Sequence, residues 1–234
     1  MNDFIHFLKK IKWQRSQGTR WSDALLYPRW KKYQENGRSS LSERLPWLGI
    51  RAADFLEKQV KPDFSVFEYG GGGSTLFWID RVKRVVTVEH NREWFSQLEG
   101  LVHQQQFSGW TGLFVEPEQG NLATNPDAAN AGHYASMDEA SRGKNYKKYV
   151  QAILAYENES FDVVLVDGRA RTSCIRDSFP KLKRGGLLIL DNAERAYYTE
   201  NNGDVLSGFR IELQGMGPVY FSRDFSETRI YRKL

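Results

Sequence analysis

The sequence predicts a doubly wound α/β fold: one mostly parallel seven-stranded sheet, finished by an antiparallel C-terminal strand pair and preceded by a helical N-terminal extension. Three observations carry this. From residue 65 short apolar runs alternate with longer amphipathic stretches, the rhythm of repeated β-α units. Two runs, Val163-Val164-Leu165-Val166 and Leu187-Leu188-Ile189-Leu190, are continuously apolar, as parallel strands covered on both faces are. At the end, Phe209–Leu213 and Thr228–Tyr231 flank Gly215, Gly217 and Pro218 without room for a crossover helix, so they should pair antiparallel.

The elements follow in order. Phe4, Leu8 and Ile11 fall at helical spacing, which predicts a short amphipathic helix. Residues 14–44 are polar and aromatic with weak periodicity. A second helix opens at Pro46, with Leu48, Ala52, Phe55 and Leu56 on one side, and ends near Lys61-Pro62. This divides the chain into an extension, residues 1–62, and a main domain, residues 63–234. Strands are expected at Ser65–Tyr69, Arg84–Glu89, Thr111–Val115, Phe161–Val166 and Gly186–Leu190. Helices are expected at Ser74–Val82, Arg92–Gln105, Tyr146–Asn158, Thr172–Leu182 and Glu194–Leu206. Residues 119–145, rich in Asn, Ala, Gly and Asp, break the rhythm; a loop of this length is expected to be a lid or a disordered insertion.

With 234 residues, 40% hydrophobic and 26% charged, the composition is that of a folded globular protein. No apolar run reaches the roughly 18–20 residues of a membrane span. Lys9, Lys10 and Lys12 break any signal-peptide core, so a cytoplasmic location is the default expectation. Cys174 is the single cysteine, which excludes an internal disulfide and a cysteine metal cluster. The charge is uneven. Residues 1–35 hold Lys9, Lys10, Lys12, Arg15, Arg20, Arg29, Lys31 and Lys32 against Asp3, Asp23 and Glu35. Such a segment suits either an anionic partner or a solvated helix face.

The stretch Glu68-Tyr69-Gly70-Gly71-Gly72-Gly73-Ser74-Thr75 follows a strand and opens a helix. Glycines there let a ligand lie on bare backbone beside free helix N–H groups. A dinucleotide site wants G-x-G-x-x-G. The third position is Thr75 counted from Gly70 and Leu76 counted from Gly71, so both registers fail. S-adenosylmethionine (SAM) has no pyrophosphate to seat but carries a cationic amine and a sulfonium. An acid before the glycines, Glu68, suits those charges and would repel a pyrophosphate. Glu89, at the end of the second strand, suits a pair of ribose hydroxyls. Asn91 reads as the N-cap of the next helix.

At these residues the sequence resembles the class I SAM-dependent methyltransferases, over about residues 65–234. Five parallel units closed by an antiparallel pair is that family's sheet layout. Glu68-x-Gly70-x-Gly72 is similar to its first motif, with Ser74 where many members have a third glycine. The resemblance implies that Gly70 and Gly72 meet the methionine part of SAM, that Glu68 and Ser74 complete the cofactor-binding turn, that Glu89 holds the ribose, and that Glu116 lies near the adenine.

Substrates of open α/β sheets bind beyond the carboxyl ends of the strands. Asp167 follows the fourth strand, and Asp191-Asn192 the fifth. Their oxygens suit Mg²⁺. The trio resembles the metal triad of catechol-type and macrocin-type O-methyltransferases, which implies catalytic and metal-binding roles for Asp167 and Asp191, with Asn192 as a further ligand. The catechol type has a basic lysine where this chain has Ala170. Arg169 and Arg171 flank it; neither can be a base, but either can pair with an anionic substrate or neutralise a carboxylate. His90 and His133 are alternative bases. The alternative for the trio is a helix cap and a turn.

The expected function is therefore methyl transfer from SAM to an oxygen of a small-molecule acceptor, with Mg²⁺ as an optional partner. The sequence leaves homo-oligomerisation open. Methylation of nucleic acid or protein is one rival, though the Asn/Asp-Pro-Pro-aromatic motif of base-directed enzymes is missing after the fourth strand. A non-catalytic SAM-binding protein is another, and a NAD-dependent oxidoreductase a third. Trp47, Trp94, Trp110, Tyr146 and Tyr149 are candidates for an aromatic pocket or for core packing.

Overall fold

The computed structural model describes residues 3–35, 37–120 and 123–234. Its centre is a seven-stranded sheet of β1 (Ser65–Tyr69), β2 (Arg84–Glu89), β3 (Trp110–Phe114), β4 (Phe161–Val166), β5 (Leu182–Leu190), β6 (Phe209–Leu213) and β7 (Arg229–Lys233), in the order β3-β2-β1-β4-β5-β7-β6. The first five strands run parallel. β7 is antiparallel to both β5 and β6.

The strands bury both faces, and alternate residues divide between two cores. Phe67, Tyr69, Val86, Val88, Val164 and Val166 face one side, where α7 (Lys147–Gln151) and α8 (Arg171–Ser178) pack. Val66, Val85, Val163 and Leu165 face the other, against α4 (Ile50–Gln59), α5 (Gly73–Ile79) and α6 (Arg92–Gln104). This is a three-layer α/β/α domain.

Three predicted helices are shorter than their apolar periodicity. Lys147–Gln151 passes into a 3-10 turn, Ala152–Ala155. Arg171–Ser178 gives way to a 3-10 turn at Phe179–Lys181, where Pro180 supplies no N–H to continue the ladder. The expected Glu194–Leu206 helix is only a 3-10 turn, Ala196–Tyr198, and one α-turn, α9 (Gly203–Leu206). Asn201 and Asn202, poor helix formers, lie between the two. β5 starts at Leu182, four residues before the expected Gly186.

In the extension, α1 (Asp3–Trp13) buries Phe7 and Ile11, while Phe4 is 39% exposed. The stripe is thus rotated from the Phe4–Leu8–Ile11 expectation, and Leu8 lies at its edge. α2 (Tyr27–Lys32) adds Trp30, and the one-turn α3 (Ser40–Glu43) follows it. These residues share their core with Met216, Tyr220 and Phe225 from the C-terminal segment. The backbone N–H of Met216 donates to Gln17 (2.9 Å), and Arg51 donates to the Gly215 carbonyl (3.1 Å).

Candidate functional site

β1 lies between β2 and β4, so the order of strand addition reverses there and a crevice opens beyond the strand ends. Two glycines let the flanking turns approach. Gly70 has φ 87°, and a Cβ on it would sit 3.0 Å from Gly168 Cα. A Cβ on Gly168 would run into the Tyr149 hydroxyl. Above them is a cavity of about 660 Å³ whose walls include Gly70, Gly71, Glu89, His90, Trp94 and Arg169. The Trp94 indole N–H donates to the Gly71 carbonyl (2.6 Å).

Gly72 and Ser74, expected to touch a cofactor, are not among the residues lining this cavity. Ser74 is buried in the first turn of α5. Glu68 also departs from expectation. It is 0% exposed and lies inside β1, in register with Thr87 and Leu165. Alternation therefore turns it, like Val66, into the sheet's α5–α6 side rather than into the crevice. Its Oε2 accepts from the hydroxyls of Thr75 and Thr87, the latter at 3.0 Å. Thr75 Oγ1 in turn accepts from the Gly72 N–H (3.1 Å), and Thr87 Oγ1 from the Trp110 indole (3.1 Å). Burial raises the Glu68 carboxyl to about 7, against the pull of Ser74, Thr75, Thr87 and Trp78. Glu68 thus shapes the glycine turn from behind.

Glu89 is the last residue of β2, and it does reach the cavity. Its Oε1 accepts from the N–H groups of His90 and Asn91, both at 2.8 Å, and its Oε2 from Gly71 N–H (3.1 Å). His90 Nδ1 lies 2.9 Å from Oε1. Burial works to raise this carboxyl, but His90 and the backbone N–H donors hold it below its ordinary value, so it is an anion at neutral pH. Asn91 caps α6 as expected, accepting from Trp94 N–H (2.9 Å).

A second chamber of about 590 Å³ shares His90, Asn91 and Arg169 with the first. Glu116 lines it, 3.5 Å from Arg92 and largely exposed. Asp138, Ser141 and Tyr146 form its other wall. Much of that wall comes from the 119–145 segment, of which residues 121 and 122 lie outside the described residues. The described part is bound to the domain. The hydroxyls of Thr172 and Ser173 on α8 donate to the carbonyls of Ala128 (2.6 Å) and Ala131 (2.7 Å). Arg169, which the sequence places at the end of the fourth strand, does line both chambers. Sequence reasoning did not find Asp138 or Ser141, because loop walls carry no periodicity. His133 accepts from Asp127 N–H within the loop and lines none of these cavities.

Asp167, Asp191 and Asn192 do come together, but around a side chain. All five N–H donors of Arg171 are satisfied there. Nε donates to the Gly168 carbonyl (3.0 Å). One terminal nitrogen donates to the Asp191 carbonyl and to Asn192 Oδ1 (3.2 Å). The other donates to the Asp167 carbonyl (2.9 Å) and to Asp167 Oδ1 (3.0 Å). Asp191 Oδ2 is 4.0 Å away, and Asp191 Oδ1 accepts from Thr228. The donor set does not fit the metal expected from the sequence: two of its three side-chain ligands already accept from a buried cation. Among the described residues no three His, Cys, Asp or Glu side chains form a metal-holding group. Burial raises both aspartates, Asp167 also through its neighbour Asp191, while Arg171 pulls both down.

Asp167, Asp191 and Asn192 also line a third cavity, about 410 Å³, with Trp47, Arg195 and Phe225. Trp47 and Asp167 line both this cavity and the glycine-turn cavity, so the two chambers meet at those side chains. Of the aromatic candidates, Trp47, Trp94 and Tyr146 reach a cavity. Tyr149 is fully buried, and Trp110 packs with the α5–α6 core.

No family model matches the chain, and no curated protein does. Solved structures do resemble it. A protein from Corynebacterium glutamicum superimposes with a TM-score of 0.55 at 12% identity, covering 90% of this chain and 97% of that one. A Streptococcus mutans protein assigned as a methyltransferase, in complex with SAH, gives 0.52 at 12% identity, over 77% of this chain and 94% of that one. A methyltransferase-like protein from Silicibacter pomeroyi gives 0.51 at 22% identity, over 79% and 86%. The chain therefore has the class I methyltransferase fold, a seven-stranded mostly parallel sheet with an antiparallel C-terminal pair. No helix among the described residues is long and apolar enough to cross a membrane.

Proposed function

We propose that the chain is a SAM-dependent methyltransferase acting on an oxygen of a small-molecule acceptor. The observation that carries this is the meeting of two cavities at Asp167 and Trp47, one of them floored by the glycine turn and Glu89. Such a junction brings two reactants to one point, and near-attack positioning can lower a barrier by roughly 7–11 kcal/mol.

Bound SAM supplies an electrophilic methyl on a sulfonium that departs as a neutral thioether. The chain does the rest. Gly70 and Gly71 offer bare backbone to the methionine portion, replacing the Gly70–Gly72 pair. The Glu89 anion accepts from ribose hydroxyls. The chamber lined by Glu116, Asp138 and Ser141 receives the adenine. Asp167, at the junction, is the side chain placed to take the acceptor's proton as its oxygen bonds to carbon. Its position supplies this role, and burial makes it a stronger base than a free carboxylate. No step is assigned to Mg²⁺, and His90, turned toward Glu89, is not needed as base.

The basic extension gives little support to a nucleic-acid substrate. Lys10 pairs with Asp224 and Arg29 with Asp54, both acids outside residues 1–35, so part of the surplus is used within the chain. Calorimetry with SAM and SAH is the primary test. Saturable binding that Glu89→Ala weakens supports the reading, and no binding of either ligand refutes it. Filter binding with RNA across salt concentrations tests the rival, which requires a steep salt slope.

A further inference from the structure

We propose that the Arg171 guanidinium is the permanent cation of the β4–β5 strand ends, holding Asp167 at the junction of the two cavities in the place a divalent ion would otherwise take. A guanidinium has five N–H groups in a rigid plane. Here all five are used, on three backbone carbonyls and two side-chain oxygens drawn from the turns after β4 and β5. The side chain is buried, 9% exposed, and its guanidinium lies over the Tyr198 ring, 5.5 Å from the centroid. Nothing remains free for a solvent-borne anion, so Arg171 is a structural cation and not a substrate clamp.

The backbone around it is held in unusual shapes. Ala170 (φ 48°) and Asn192 (φ 51°) both sit in the left-handed region, one beside each turn that Arg171 bridges. Asparagine tolerates this conformation; alanine is strained in it. The strain at Ala170 persists because Arg171 fixes the Asp167 and Gly168 carbonyls just before it, while α8 N–H groups of Ser173 and Cys174 bond the Ala170 carbonyl. Arg171 is thus a positioning residue: it lines neither of the two chambers that meet at Asp167, and it sets Asp167, which lines both.

A divalent ion needs the same oxygens. Mg²⁺ would demand Asp167 Oδ1 and Asn192 Oδ1 at about 2.0–2.1 Å in octahedral array. Both oxygens instead face one guanidinium, whose charge would repel a second cation. The substitution of a covalently attached monocation for a diffusible dication makes the site independent of metal supply and fixes its geometry before any ligand arrives. Only the role of Asp167 in methyl transfer rests on the functional reading above; the cation exchange does not.

The test is a titration of the full-length protein with Mg²⁺, Mn²⁺ and Ca²⁺ at constant ionic strength, by calorimetry and thermal shift. Wild type is expected to show no saturable binding. In Arg171→Ala the same ions should bind saturably and raise the melting temperature, and Arg171→Ala combined with Asp191→Asn should lose that effect. Low concentrations of guanidinium ion should restore Arg171→Ala where equal sodium does not, an outcome a generic packing defect would not give. Saturable binding to wild type that Asp191→Asn removes overturns the proposal, as does a folded Arg171→Ala that ignores every divalent ion. Should Arg171→Ala not fold, the wild-type and Asp191→Asn titrations decide. SAM and SAH binding, measured alongside, separates this outcome from the methyl-donor reading: no binding of either ligand by wild type refutes the latter and leaves the cation result standing.

Discussion

The sheet presents two pairs of acids on neighbouring strands, and they behave differently. Glu68 and Glu89 belong to β1 and β2; Asp167 and Asp191 follow β4 and β5. The first pair splits. Glu68 lies within its strand and is turned into the packed layer beneath α5, where threonine hydroxyls and no cation meet it. Glu89 is the last residue of its strand and emerges into the crevice. The second pair stays together because both aspartates lie one residue past a strand end, where Arg171 can reach both turns. An acid one position inside a strand is a core residue; an acid at or past the end is available for ligand or counter-ion.

This contrast is open to attack by four substitutions. The largest effect is expected at Glu68. Its native value of about 7 lies above its ordinary 4.5, so the native state binds the proton more tightly. The stability this gives is fully present below about 4.5 and is lost as pH rises through 7. A shift of that size corresponds to about 3 kcal/mol. Glu68→Gln should abolish that dependence in urea unfolding at about pH 4 and pH 8, while changing SAH affinity by less than about threefold. A large affinity loss in Glu68→Gln would restore Glu68 to the ligand site and break the comparison.

Glu89→Ala should do the reverse. Losing hydrogen bonds to a charged acceptor, worth about 1.5–3 kcal/mol, predicts SAH binding roughly 100-fold weaker by calorimetry. Gly70→Ala sharpens the account of the turn between the two pairs. A left-handed φ costs a non-glycine residue about 1–2 kcal/mol, and the new Cβ would crowd Gly168. The expected result is a melt lowered by that amount together with weaker SAH binding. The smallest effect is expected at Glu116, an exposed acid whose pairing with Arg92 is solvent-screened. Glu116→Ala should change SAH affinity by less than about threefold, since exposed ion pairs contribute about 0–1 kcal/mol.

Strand alternation already contained the orientation of Glu68. Val66 and Glu68 share a face, and so do Phe67 and Tyr69, in the Ser65–Tyr69 strand that the sequence predicts and the structure has. Reading Glu68 as the residue before the glycines, rather than as the fourth residue of a strand, placed it in the site. For Arg171 the sequence offered a narrower clue, that an arginine there can neutralise a carboxylate. Which carboxylate, and whether a metal or the arginine holds it, depends on the gap between two turns 20 residues apart in the chain.

The sequence by itself determined the strand order's ingredients: five apolar parallel runs, the antiparallel ending, the glycine turn and the acid that closes β2. These are local, because side-chain period and loop length follow from neighbouring residues. Only the tertiary structure decided the rest. It took Glu68 and Gly72 out of the cavity, joined two chambers at Asp167 and Trp47, folded the 123–145 segment against α8, and filled the acidic trio with Arg171. Each of those outcomes depends on distances between segments far apart in the chain, and packing sets such distances where periodicity cannot.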